Sequence, residues 1–145
     1  TLAFSIGLAS YFNGKMVMRF GMRKLCRFAL KGVNGFAVVY LALLLAYDGL
    51  PPLIPTVAVM FVGFFFVGIL FGNLNAMAMQ PLGDMAGLGA AIIGSFSSLF
   101  SVPVALFVDS FLNGNLMPIG WGFLVFFALS YVSVRYAERV REGSI

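Results

Sequence analysis

Histidine is absent from this 145-residue chain, cysteine occurs once, and charged residues make up only 10% of it. Without histidine there is no serine–histidine dyad, no imidazole metal ligand and no histidine-ligated haem. The lone Cys26 leaves no internal disulfide and no multi-cysteine metal site. Acids are scarce too, with five Asp and Glu against nine Lys and Arg. Intramembrane aspartyl chemistry needs two carboxylates at one depth. Asp48 and Asp84 instead flank opposite ends of one long apolar stretch. No enzymatic activity, cofactor or metal is expected.

What fills the chain is apolar: 61% hydrophobic residues and 17 Phe, with a mean hydropathy of +1.03. A soluble domain of this size could not hide so much apolar surface, so the expected class is an all-α, multi-span membrane bundle. A bilayer core needs about 20 apolar residues per helix. Residues 28–47, 52–79, 87–112 and 117–136 meet that length. Residues 1–12 make only half a span and carry neither an initiator Met nor a charged leader. They are expected to be a truncated span of a longer polypeptide, followed by a basic loop at 13–27. Residues 137–145 form a polar tail.

Charge placement sets an orientation. Lys15, Arg19, Arg23, Lys24, Arg27 and Lys31 cluster with no acid among them, and Arg135, Arg139 and Arg141 follow the last span. The turns at 47–51 and 112–116 hold neither Lys nor Arg. The positive-inside rule then puts the basic loop and the C-terminal tail in the cytoplasm. The net charge of +4 is explained by that rule, with anionic lipid headgroups neutralising the cluster and no nucleic-acid partner implied.

Inside lipid, helices associate where small side chains let backbones approach. Ala86, Ala90, Gly94 and Ser98 form one such stripe, and Gly83, Gly87, Ala91 and Ser95 another. Gly68 and Gly72 repeat the spacing in the preceding span. These two spans are expected to pack on each other or on a further partner. Asn73 and Asn75 point about 200° apart, so one can face a cavity while the other bonds a neighbouring helix. Ser95, Ser97, Ser98 and Ser101 can back-bond to their own helix. Pro103 is expected to kink the third full span near Leu99. Asp109 reads as an interfacial carboxylate or a proton-handling one. Phe96, Phe100 and the Phe-rich span before them suit a greasy cavity or lipid contact equally. Trp121 and Tyr136 read as interfacial belt residues.

Two motifs carry a family resemblance. Gly14-Lys15-Met16-Val17-Met18-Arg19-Phe20-Gly21-Met22-Arg23 resembles the G-x-x-x-D-R-x-G-R loop of the major facilitator superfamily, with Met18 where the acid stands. That departure suits the weaker copy of the motif, between spans eight and nine. Asn75-Ala76-Met77-Ala78-Met79-Gln80-Pro81-Leu82-Gly83-Asp84-Met85-Ala86-Gly87 is similar to the span ten to eleven junction of the bicyclomycin-resistance type of drug:proton antiporter. Phe111–Pro118 resembles that group's outer loop before the final span.

The resemblance implies the C-terminal portion of a twelve-span fold, from the end of span eight through span twelve. It implies a cytoplasmic gate at Gly14, Arg19, Gly21 and Arg23. Substrate lining would come from Asn73, Phe96 and Phe100, and helix packing from Gly68, Gly72, Gly87, Ala90 and Gly94. The implied activity is secondary transport, exporting amphiphilic drugs or other small molecules by alternating access with proton antiport. The implied location is a multi-pass cell (inner) membrane. The partners would be lipid, a small-molecule substrate and the N-terminal half of the same polypeptide. A narrow-specificity metabolite or sugar exporter, and a non-transporting membrane scaffold, remain open beside it.

Overall fold

The computed structural model describes residues 2–112 and 114–142. Thr1 of the first apolar stretch, Asn113 of the stretch before the last span and residues 143–145 lie outside the described residues. Five α-helices follow one another: α1 (Leu2–Phe20), α2 (Met22–Ala46), α3 (Leu53–Met79), α4 (Ala86–Asp109) and α5 (Met117–Glu142). A short 3-10 helix, Gln80–Met85, joins α3 to α4, and no strand occurs among the described residues.

Three helical stretches are long and apolar enough to cross a membrane: Met22–Ala46, Leu53–Asp109 and Met117–Val140. The middle one covers 57 residues, far beyond one crossing. It divides at Gly83, whose φ of 48° and ψ of −119° lie outside any helix. Helical hydrogen bonding resumes beyond that break, and α4 turns back beside α3.

The segment expected as a basic loop is helical instead. α1 runs on to Phe20, α2 begins at Met22, and only Gly21 breaks the chain, at φ 78°. Hydropathy marks where charges begin, which is where apolar surface ends. Lys and Arg are good helix formers, so the helices continue past that point.

Contact registers fix the helix directions. Gly32 faces Phe66 and Gly63 faces Phe36, so α2 and α3 are antiparallel. Ser5 donates to the Phe61 carbonyl and Asn73 to Asn13, so α1 and α3 run parallel. Gly120 meets Leu41 and Leu44, while Glu138 pairs with Arg27, so α5 is antiparallel to α2. The two basic clusters therefore share one end of the bundle, and the turns at 47–51 and 112–116 share the other.

The core follows the 3.6-residue period of α2. Leu25, Ala29, Leu30, Val33, Phe36, Ala37, Tyr40, Leu41 and Leu44 are all buried along one face. Ala9, Cys26, Ile69 and Leu70 join the basic-end half of the core. Phe36, Tyr40 and Leu44 pack with Phe123 and Phe127 towards the other end.

That far end is latched by hydrogen bonds. The chain leaves α2 through Gly49, whose φ of 82° favours glycine and whose N–H donates to the Leu44 carbonyl at 2.7 Å. Asn115 donates to the Asp48 carbonyl at 3.2 Å. Its Oδ1 accepts the Met117 N–H at 2.8 Å, capping α5.

Helix α4 stands apart. Gly89 is its only buried residue, docked under the Leu82 side chain of the 3-10 helix. At the opposite end Val108 touches the face of Gly122 on α5. Between those anchors α4 leans away, and its helical structure passes through Pro103 unbroken.

Candidate functional site

The lean of α4 opens a groove of about 770 Å³ against the last turns of α3. Phe71, Gly72, Asn75, Ala76 and Met79 form one wall, and Ala90, Ile93, Gly94, Ser97, Ser98 and Ser101 the other. Small residues make the opening: Gly94 faces open space, with no other helix against it. Its polarity comes from one amide and three hydroxyls, and none of the lining residues is ionisable. The Asn75 amide nitrogen donates to the Phe71 carbonyl at 2.9 Å, which leaves its oxygen as an acceptor for the groove. Ser101 donates to the Ser98 carbonyl at 3.3 Å, the back-bonding anticipated for these serines.

The two asparagines divide their roles in the opposite sense to the one expected. Asn73 is only 1% exposed and turned towards α1, away from the groove. Its amide nitrogen donates to Asn13 Oδ1 at 2.5 Å and to the Ile69 carbonyl at 2.8 Å. Asn75 is the one that faces the groove. The cause is the helical angle between them: once Gly68 and Gly72 seat α3 on α1, Asn73 falls in that interface. Asn13 escaped notice because it sits where hydropathy ends a span, yet a polar side chain at that depth is the signal that could have found it.

Phe96 and Phe100 also lie off the groove. Their rings stack at 6.5 Å and 19°, on a face of α4 where they are 58% and 66% exposed. Of the packing residues, Gly68 faces Ala9 of α1 so closely that a side chain there would clash, and Gly72 faces the Asn13 amide. The α3 pair thus serves α1 rather than α4. Gly87, like Gly94, faces open space, and Ala90 is exposed on the groove wall.

At the basic end, Gly14 and Arg19 lie on the last turns of α1 rather than in a loop. The Arg19 guanidinium sits 5.4 Å from the Phe20 ring centre. Gly21 is the break itself. Arg23 lines a separate crevice of about 460 Å³ with Lys24, Arg27 and Gln80. Arg27 and Arg135 pair with Glu138 at 3.5 and 3.8 Å. Among the described residues no carboxylate comes within salt-bridge distance of Arg19 or Arg23.

Elsewhere the helices bury polar groups to hold one another. Asn34 of α2 donates to its own Leu30 carbonyl and, at 3.3 Å, to the Phe127 carbonyl of α5. The crevice between Gly32, Val39, Ala58 and Phe66 is apolar throughout, as a lipid-facing surface requires.

Comparison with protein-family profiles, with characterised proteins and with solved structures finds no match for this chain.

Proposed function

We propose that this chain belongs to a secondary active transporter of the major facilitator type, exporting amphiphilic small molecules by alternating access with proton antiport. The observation that carries the reading is the attachment of α4: anchored at both ends, free between them, and bordering an open groove at membrane depth. Alternating access needs a wall that can close on substrate from one side and open to the other. Asn75, Ser97, Ser98 and Ser101 are the groove's polar contacts. The stacked Phe96–Phe100 pair is the apolar surface that α4 would turn to the N-terminal half of the polypeptide. Since nothing ionisable lines the groove, proton coupling falls to carboxylates of that half. The basic end would face the cytoplasm of a bacterial inner membrane, with Arg19 and Arg23 at the gate.

One feature favours a second reading within transport. An amide and three serines line the groove more polarly than the Phe-rich sequence leads one to expect, which suits a narrow-specificity metabolite or sugar. The test uses the full-length polypeptide in a drug-sensitive bacterium stripped of its own efflux pumps. Accumulation of a cationic fluorescent dye is followed with and without a protonophore. Protonophore-sensitive loss of dye, weakened several-fold by Asn75→Ala and by Phe96→Ala, is the expected outcome. Unchanged dye with the protein present in the membrane rejects drug export. A metabolite exporter or a packing scaffold would then take its place.

A further inference from the structure

The crevice at the basic end shares Arg23 with the proposed gate, but its other lining residues have no part in the transport reading. It lies where α1 breaks into α2, and it is closed on the far side by the start of the 3-10 helix. Arg23, Lys24 and Arg27 line it from the start of α2, and Gln80 faces them from the first position of the 3-10 helix. Phe20 and Met77 supply apolar wall. Arg27 has one acidic partner, Glu138 at 3.5 Å, whereas Arg23 and Lys24 have no salt-bridge partner among the described residues. The first turn of α2 adds to the field, holding no acid and no side-chain cap behind Gly21.

Two guanidinium groups, an ammonium and an amide lining one crevice, with Glu138 against Arg27 as their one acidic partner among the described residues, ask for an anion. Guanidinium forks match phosphate oxygens two at a time, and lysine contributes a point charge. The apolar wall narrows the choice. A small hydrated anion has no use for Phe20 and Met77, whereas a phosphate esterified to a lipid brings apolar chain to lie on them. Phe28, one turn beyond Lys24 on α2 and 53% exposed, offers further apolar surface in the direction of the helix middle.

We infer that the crevice between the α1–α2 break and the 3-10 helix binds the phosphate headgroup of an anionic phospholipid through Arg23, Lys24, Arg27 and Gln80. The inference rests on α2 and α3 crossing a membrane and is independent of what, if anything, the protein transports. It places an anchored lipid against the hinge at Gly21, so that anionic lipid content would bias the angle between α1 and α2.

The test is binding of phosphatidylglycerol to the detergent-solubilised protein, followed by native mass spectrometry. Two double variants of equal charge are compared, Arg23→Gln with Lys24→Gln and Lys15→Gln with Arg139→Gln. All four side chains are exposed, and helical circular dichroism confirms that each variant is folded. The crevice pair is expected to weaken phosphatidylglycerol binding about 10- to 30-fold, while the control pair stays within about twofold. Equal losses in both pairs would reduce the effect to diffuse surface charge and overturn the site. Inorganic phosphate is titrated as competitor. Failure of millimolar phosphate to displace the lipid is expected, and displacement at micromolar phosphate would reassign the crevice to a soluble anion.

Discussion

Helices α2 and α4 are both long, apolar and studded with glycine, yet one is the spine of the bundle and the other barely touches it. On α2 and its neighbours the glycines at the helix contacts have large partners, while Gly35 on the outer face of α2 has none. The Phe66 ring rests on Gly32, Phe36 fills the space at Gly63, and Leu44 lies on Gly120. On α4, Gly87 and Gly94 face nothing within 4 Å, and only Gly89 is covered. A small-residue stripe is half of a joint. What turns it into packing is a bulky side chain at the matching height on another helix, and α4 lacks one along most of its length.

The contrast can be broken most directly by filling glycines on each side of it. Gly63→Val drives a branched side chain into the buried Phe36 ring, which cannot swing away because Tyr40, Phe123 and Phe127 surround it. Overpacking of that kind costs about 1–3 kcal/mol, read as an earlier unfolding midpoint in mixed micelles. Gly94→Val adds the same atoms over open groove and should shift the midpoint by less than about 0.5 kcal/mol. Equal shifts would mean that α4 is packed in the native protein, and the groove would be lost with it.

Next in size is the latch at the far end. Asn115→Ala removes both the bond to the Asp48 carbonyl and the cap on the Met117 amide. A loss of about 1–2 kcal/mol is expected, with amide exchange speeding up first at Leu116–Ile119. No loss would show that α5 is held by its apolar face alone.

The Asn13–Asn73 pair is expected to be weaker still. Interhelical side-chain bonds in membrane bundles average about 0.6 kcal/mol by double-mutant cycle. Asn13→Ala and Asn73→Ala, alone and combined, should give a coupling near that value and leave dye export per folded molecule unchanged. A coupling of zero, or a selective loss of export in Asn73→Ala, would return Asn73 to the substrate wall.

Much of the fold was legible, for reasons these residues make plain. Hydropathy located α3 to within a residue, because Pro51 and Pro52 open it and Gln80-Pro81 closes it. It missed the continuation of α1 to Phe20, since a charged helix and a charged loop look alike when only apolarity is counted. The site was less legible. Asn73 and Asn75 were recognised as costly intramembrane amides, but which of them faces a cavity depends on where α1 docks. That docking is set by Ala9 and Ile6 against Gly68, a match of height between two helices that no single stretch of sequence contains.

The smallest effect belongs to the basic end, where an ion pair adds to the apolar packing of Tyr131 and Val134 of α5 on α2. Glu138 sits between Arg27 and Arg135 at 3.5 and 3.8 Å, and both arginine side chains are 47% exposed. Solvent reaches such a pair, so its attraction is screened and partly cancelled by the entropy of holding two long side chains still. Glu138→Gln should therefore cost no more than about 0.5 kcal/mol at low salt and nothing measurable at about 1 M salt. A larger cost that persists in high salt would mean the pair is shielded by lipid. Arg27 would then be held fast by Glu138, with less freedom to turn towards a phosphate in the crevice beside it.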